Sequence, residues 1–109
     1  MEFQRAKFAE IVYLMPDVVF LQAWCHKTLL LMLKEELSTA YEVFTVSSHL
    51  GYPDHYGPLT TLIKKSKFAV VHHEAIPLSS EDRQCLAVTV ARADTPQNHI
   101  VLVNCALEV

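Results

Sequence analysis

Cysteine is sparse and scattered in this sequence. Cys25, Cys85 and Cys105 are an odd number, widely spaced in apolar stretches, with no CxxC pair. That pattern excludes a disulfide framework and points to buried thiols in a reducing compartment, the nucleus or cytoplasm. Long apolar runs are missing too: no run outgrows Leu29 to Leu33, far too short to cross a membrane. Glu2, Arg5, Lys7 and Glu10 interrupt the N-terminus before any apolar run develops, so no secretory leader is expected. Also absent is a basic stripe of the kind that neutralises phosphates. Nine Lys and Arg stand against twelve Asp and Glu, for a net charge of −3, so nucleic acid is not expected as a partner. Lys64-Lys65-Ser66-Lys67 reads as a solvated turn.

What is present is enough apolar material for a core. Hydrophobic residues make up 51% and charged residues 19%, which excludes a disordered tail. The length of 109 residues suits one domain, residues 1–109, with little room for an appended module.

Along the chain, residues 2–15 carry Phe8, Ile11, Val12 and Met15 at helical spacing, and Pro16 ends the segment. Val18 to Leu21 follows as a short β-branched and aromatic run, expected to be a strand buried on both faces. From Cys25 to Leu37 the period changes to 3.6, with Leu29, Leu30, Leu33 and Leu37 on one stripe and Lys34, Glu35 and Glu36 turned away. Tyr41 to Val46 reads as a second strand, and Ser47 to Pro58, which holds both glycines and two prolines, as a loop. Further strands are expected at Leu59 to Ile63, Phe68 to Ile76, Cys85 to Ala93 and His99 to Leu107. The order predicts an α/β fold with two helices on one face of a mixed sheet of about five or six strands. Two helices cover one face only, so the other is expected to be buried by a second copy of the chain in a homodimer, by a different protein partner, or by a missing half of the same fold.

The stretch Pro16-Asp17-Val18-Val19-Phe20-Leu21-Gln22, after the helix through Ile11 to Met15, resembles the start of endonuclease/exonuclease/phosphatase (DNase I-like) domains, where PDVIFLQE recurs as a core strand. Tyr41-Glu42-Val43, Lys64-Lys65-Ser66, Glu74-Ala75-Ile76-Pro77-Leu78 and the final stretch Ile100 to Glu108 bring the likeness closest to the 5′-tyrosyl-DNA phosphodiesterases. The resemblance covers about the first half of that domain, and implies half of a DNase I-like four-layer sandwich with its metal and catalytic groups at one edge. Such chemistry needs carboxylates for a hard cation such as Mg²⁺, and a His with an Asp partner for the attacking water and the phosphate.

Both site positions that the resemblance places inside this chain are lost. The family's metal-binding Glu corresponds to Ala23, and its His, read from TSHLES against Asn104-Cys105-Ala106-Leu107-Glu108-Val109, corresponds to Ala106. The family's first strand, with its Asn, would lie before Met1, and its GDxN and SDH motifs after Val109. Gln22, Trp24, Arg83, Asn104 and Glu108 remain as candidate binding positions around the vestigial site. Trp24 is placed to stack a base or cap the vacated pocket, though the plainer reading is a core or interface aromatic.

Other constellations are weaker. His72 and His73 are adjacent on a strand and point to opposite faces, so they do not share one ion. His49, Asp54 and His55 share a loop, with Cys25 or His26 as a further ligand, but loop histidines are ordinarily just solvated. Cys25 and His26 diverge by about 100° on a helix and form no dyad.

These residues predict a non-catalytic DNase I-like interaction module with no catalytic residue, metal or cofactor of its own. The alternative is a truncated or divergent metal-dependent tyrosyl-DNA phosphodiesterase, using Mg²⁺ and active only when another chain complements it.

Overall fold

The computed structural model of the chain describes residues 9–22, 31, 34–47, 58–78 and 83–105. Six strands stand where β-branched and aromatic runs predict them: β1 Val18–Gln22, β2 Tyr41–Ser47, β3 Pro58–Lys64, β4 Phe68–Pro77, β5 Gln84–Arg92 and β6 His99–Asn104. Residues 9–14 are helical (α1), as are residue 31 and residues 34–37 (α2). Leu29, Leu30 and Leu33 of the expected apolar stripe lie outside the described residues, as does the start of the first helix. Leu37, the last member of the stripe, is buried, while Lys34, Glu35 and Glu36 are exposed.

The two helices and six strands make half of a sandwich, but the strands divide into two three-stranded sheets, ordered β1-β3-β2 and β4-β5-β6, and every pairing is antiparallel. The single mixed sheet expected from the sequence is therefore two layers. The division falls at the turn Lys65–Lys67, where the Lys67 N–H bonds the Lys64 carbonyl at 3.1 Å and the Ala93 N–H bonds the Lys67 carbonyl at 2.9 Å. This turn sends β4 into the second layer instead of along the edge of the first.

Alternation along β3, the central strand of the first sheet, serves both sides. Leu62 packs outward with Ile11, Leu37 and Tyr41, joined by Val19, Leu21 and Val43, so the helices cover that face. Leu59 and Ile63 point the other way, onto Leu86, Val88 and Val90 of β5, with Val18, Phe44, Val46, Phe68, Val70 and Leu102 around them. The helix-free face of the first sheet is thus covered by the chain's own second sheet, while that second sheet leaves Val71, Val101 and Val103 exposed. One-dimensional patterning does not say what covers a doubly apolar strand, and the burial expected on both faces of β1 is not met at Phe20, which stays exposed.

Helix α1 stops at Pro16. Proline disfavours right-handed helix in the residue before it, and Met15 leaves the helix with φ 47°, its N–H still bonded to the Ile11 carbonyl at 2.8 Å. The Tyr41 hydroxyl donates to the Pro16 carbonyl and Lys64 Nζ to the Met15 carbonyl at 3.0 Å. Lys65 Nζ donates to the Ser38 carbonyl, 2.7 Å away, beyond α2. Two lysines of the expected solvated turn therefore neutralise helix C-terminal carbonyls.

Candidate functional site

The strand directions gather the ends of β1, β2, β4 and β6 and the starts of β3 and β5 at one end of the sandwich, where Gln22 stands opposite Leu59 and Asn104 opposite Leu86. Gln84 Nε2 ties the two sheets together there by donating to the Ser47 carbonyl at 2.6 Å. This is the end at which the resemblance places the metal and the catalytic histidine.

Asn104 is fully buried at this end, and its carboxamide is used on both sides. Its Nδ2 donates to the Thr60 carbonyl at 3.0 Å, and to the Leu21 carbonyl and Thr61 Oγ1 at 3.3 Å each. Its Oδ1 accepts from Gln22 Nε2 at 3.1 Å, and the same amide group of Gln22 donates to the Cys105 carbonyl at 2.8 Å. One side chain of the second sheet thus satisfies backbone and side-chain groups of two strands of the first. A polar group without such partners would be costly at zero exposure.

Of the candidate positions, the structure brings Gln22 and Asn104 into direct contact. Arg83 stands at the same end, just before β5, 9% exposed, with its carbonyl accepting from the Leu78 N–H at 2.8 Å. Ala23, Trp24, Ala106 and Glu108 lie outside the described residues, as do Cys25, His26, His49, Asp54 and His55. His72 and His73 do face opposite ways. His72 is exposed and lies 3.6 Å from Glu74, whereas the His73 ring packs on Phe44 with centroids 4.6 Å apart.

The described side chains at this end do not make a donor set for a hard divalent cation. Gln22 presents its amide nitrogen, already committed as a donor, and Asn104 has its oxygen occupied. Among the described residues no group of three His, Cys, Asp or Glu is arranged to hold a metal ion. Among the described residues, Gln22 and Asn104 form an amide hydrogen-bond network that can recognise polar groups.

Sequence reading missed Thr60, Thr61, Ser47 and Gln84, whose roles come from partners far along the chain. It also missed that Cys85 and Cys105 meet. A cleft of about 430 Å³ lies at the far end between Asp17, Lys67, Phe68, Arg92, Asp94 and Ile100. Its charges are of both signs, with Arg92 3.1 Å from Asp94, so it offers no cationic track.

No protein-family model and no curated protein matches the sequence. Solved structures do. TDP2 of D. rerio complexed with single strand DNA product superposes with a TM-score of 0.70 at 22% identity, over 92% of this chain and 36% of that one. Truncated TDP2 of Caenorhabditis elegans gives 0.68 at 21%, over 97% and 39%. The human Nocturnin catalytic domain with bound sulfate anion gives 0.72 at 14%, over 94% and 41%. The fold is DNase I-like. It is related to that of TDP2, as the strand motifs suggest, and it carries no assembled metal cluster among its described residues. This DNase I-like chain spans about two fifths of the length of the structures it matches.

One expectation is overturned. Nucleic acid was set aside on charge balance, yet a protein of this fold was solved holding single-stranded DNA. Net charge describes the whole surface, whereas a strand end is gripped locally, by stacking and a few polar contacts. Among the described residues no helix is long and apolar enough to cross a membrane.

Proposed function

We propose that residues 1–109 are one DNase I-like half domain that binds without catalysing, and that the end of a single DNA strand is the ligand it takes. The observation that carries this reading is the Gln22–Asn104 network: beside the two positions where the resemblance calls for a carboxylate and a histidine, two amides are bonded to each other. Ala23 and Ala106 in the sequence support it, since alanine offers neither a lone pair nor a proton. The DNA product on TDP2 of D. rerio supports the choice of ligand. Free thiols at Cys85 and Cys105 support an intracellular setting, nucleus or cytoplasm.

The test is fluorescence anisotropy with a 5′-labelled single-stranded oligonucleotide, run beside a gel assay of the same mixture with Mg²⁺ or Mn²⁺. Saturable binding with intact oligonucleotide, and no release of tyrosine from a 5′-phosphotyrosyl end, is the expected result. Metal-dependent turnover that disappears on mutating a residue of this chain would sink the reading.

A second reading, a phosphodiesterase whose missing groups come from polypeptide outside these residues, is favoured by one observation. Edge strands β1 and β6 leave Phe20, Val101 and Val103 exposed, in a chain that spans 36% of TDP2 of D. rerio. Activity that appears only when such a polypeptide is added would decide for it.

A further inference from the structure

We infer that Cys85 and Cys105 are a redox-active pair that closes to an intramolecular disulfide when a small-molecule disulfide such as oxidised glutathione is in excess. The antiparallel pairing of β5 with β6 carries the inference. Partners run in strict register from Ala91 opposite His99 to Leu86 opposite Asn104, and one further step places Cys85 opposite Cys105. Directly opposed residues of an antiparallel pair have Cβ atoms about 4.5–5.5 Å apart, next to the separation a disulfide spans. Both thiols are free, and Cys105 lies near enough to Cys85 to act on its thiol.

The two sulfurs are not equivalent. Cys85 is 6% exposed while Cys105 is half-buried at the sheet end, so Cys105 is the one that meets an external reagent. Burial pushes the Cys85 thiol up from its ordinary value, and the neighbouring Cys105 adds to this. Closure follows from that asymmetry. The Cys105 thiolate attacks one sulfur of the small disulfide, whose S–S bond breaks and releases one thiolate that takes up the proton Cys105 gave. Cys85 then loses its proton and attacks the Cys105 sulfur, displacing the second small thiolate, which takes that proton. Two protein thiols are oxidised by two electrons and one small disulfide is reduced to two thiols. Because the Cys85 thiol is pushed up, closure quickens as pH rises.

Oxidation reaches the candidate site. The Cys105 carbonyl accepts from Gln22 Nε2, and Cys105 follows Asn104 directly. A bond from Cys105 to the start of β5 therefore locks the end of β6 beneath the amide network.

The test uses the full chain carrying Cys25→Ser, equilibrated across ratios of oxidised to reduced glutathione, quenched with N-ethylmaleimide and analysed by intact mass and peptide mapping. The expected product is lighter by two hydrogens, carries no label on Cys85 or Cys105, joins their two peptides, and reverts with dithiothreitol. Its unfolding midpoint lies above that of the reduced protein, and Cys85→Ser or Cys105→Ser each prevents its formation. Should Cys25→Ser fold poorly, the unmutated chain is mapped in the same way, and a linkage through Cys25 would overturn the proposal. So would a stable glutathione adduct on Cys105 that never closes, or full labelling of both thiols at every ratio.

Discussion

Gln22 and Asn104 stand 82 residues apart in sequence and share a 3.1 Å hydrogen bond that joins the edges of two different sheets. The bond unites the last residue of β1 with the last residue of β6, and it ties the candidate site to the fold's own stability.

Asn104→Ala should therefore destabilise the chain by about 2–3 kcal/mol, since it removes a carboxamide of zero exposure together with its bonds to the Thr60 and Leu21 carbonyls and to Gln22. Gln22→Ala, at an exposed position, should cost under about 1 kcal/mol. Urea denaturation of the two variants measures the difference, and equal effects would mean that Asn104 is not the keystone of this end.

Leu62→Ala should cost about 3 kcal/mol, because Leu62 has no exposure and links α1 and α2 to the first sheet. Val101→Ser, at 60% exposure on β6, should change stability by no more than about 0.5 kcal/mol. Chemical unfolding midpoints for the pair test where the core lies.

Tyr41 links stability to alkaline pH. Burial first, and the Asp17 carboxylate second, raise its phenol above the ordinary value of 10.0. The folded state thus prefers the neutral phenol. Its contribution is complete below the unfolded pKa of about 10 and is lost as pH rises through the higher folded value. Tyr41→Phe should lower stability at neutral pH by about 1 kcal/mol, through the lost bond to the Pro16 carbonyl, and should flatten the alkaline limb of the stability profile. An unchanged limb would place the alkaline transition elsewhere.

Metal should have no thermodynamic effect. A ligand bound only by the folded state raises the unfolding midpoint by mass action. Millimolar Mg²⁺ or an excess of chelator should leave the midpoint of this chain where it was, because its described residues bring no three metal-binding groups together. A Mg²⁺-dependent rise in thermal unfolding would show that a site exists after all.

Much of the fold was legible in the sequence. Five strands lie within one residue of their expected bounds, because β-branched runs such as Val18 to Leu21 are strong local signals, while β6 ends at Asn104, short of the expected Leu107. The partition into two sheets was not legible, since it depends on one turn, Lys65–Lys67, and on hydrogen bonds reaching Ala93. The candidate site was half legible. Gln22 and Asn104 were marked individually through their neighbours Ala23 and Ala106, but nothing local says that two amides so far apart will bond. The cysteine pair had a signal that went unused. Once the turn from Asp94 to Asn98 is placed, residues equidistant from Thr95 become partners, and Cys85 and Cys105 are such residues.

Strand β3 is a shared wall. Its odd-numbered Leu59 and Ile63 belong to the core between the sheets, its even-numbered Leu62 to the core under the helices, and Thr60 and Thr61 bond Asn104 from adjacent positions. A substitution in β3 damages one room of this structure at a time. The loss or gain of a single residue there would turn every side chain through the wall at once, moving leucine and isoleucine into the wrong cores and pulling both threonines from the amide that holds the site end together. The strand can accordingly vary in composition over evolutionary or engineered change, within the limits of apolar volume, but not in length.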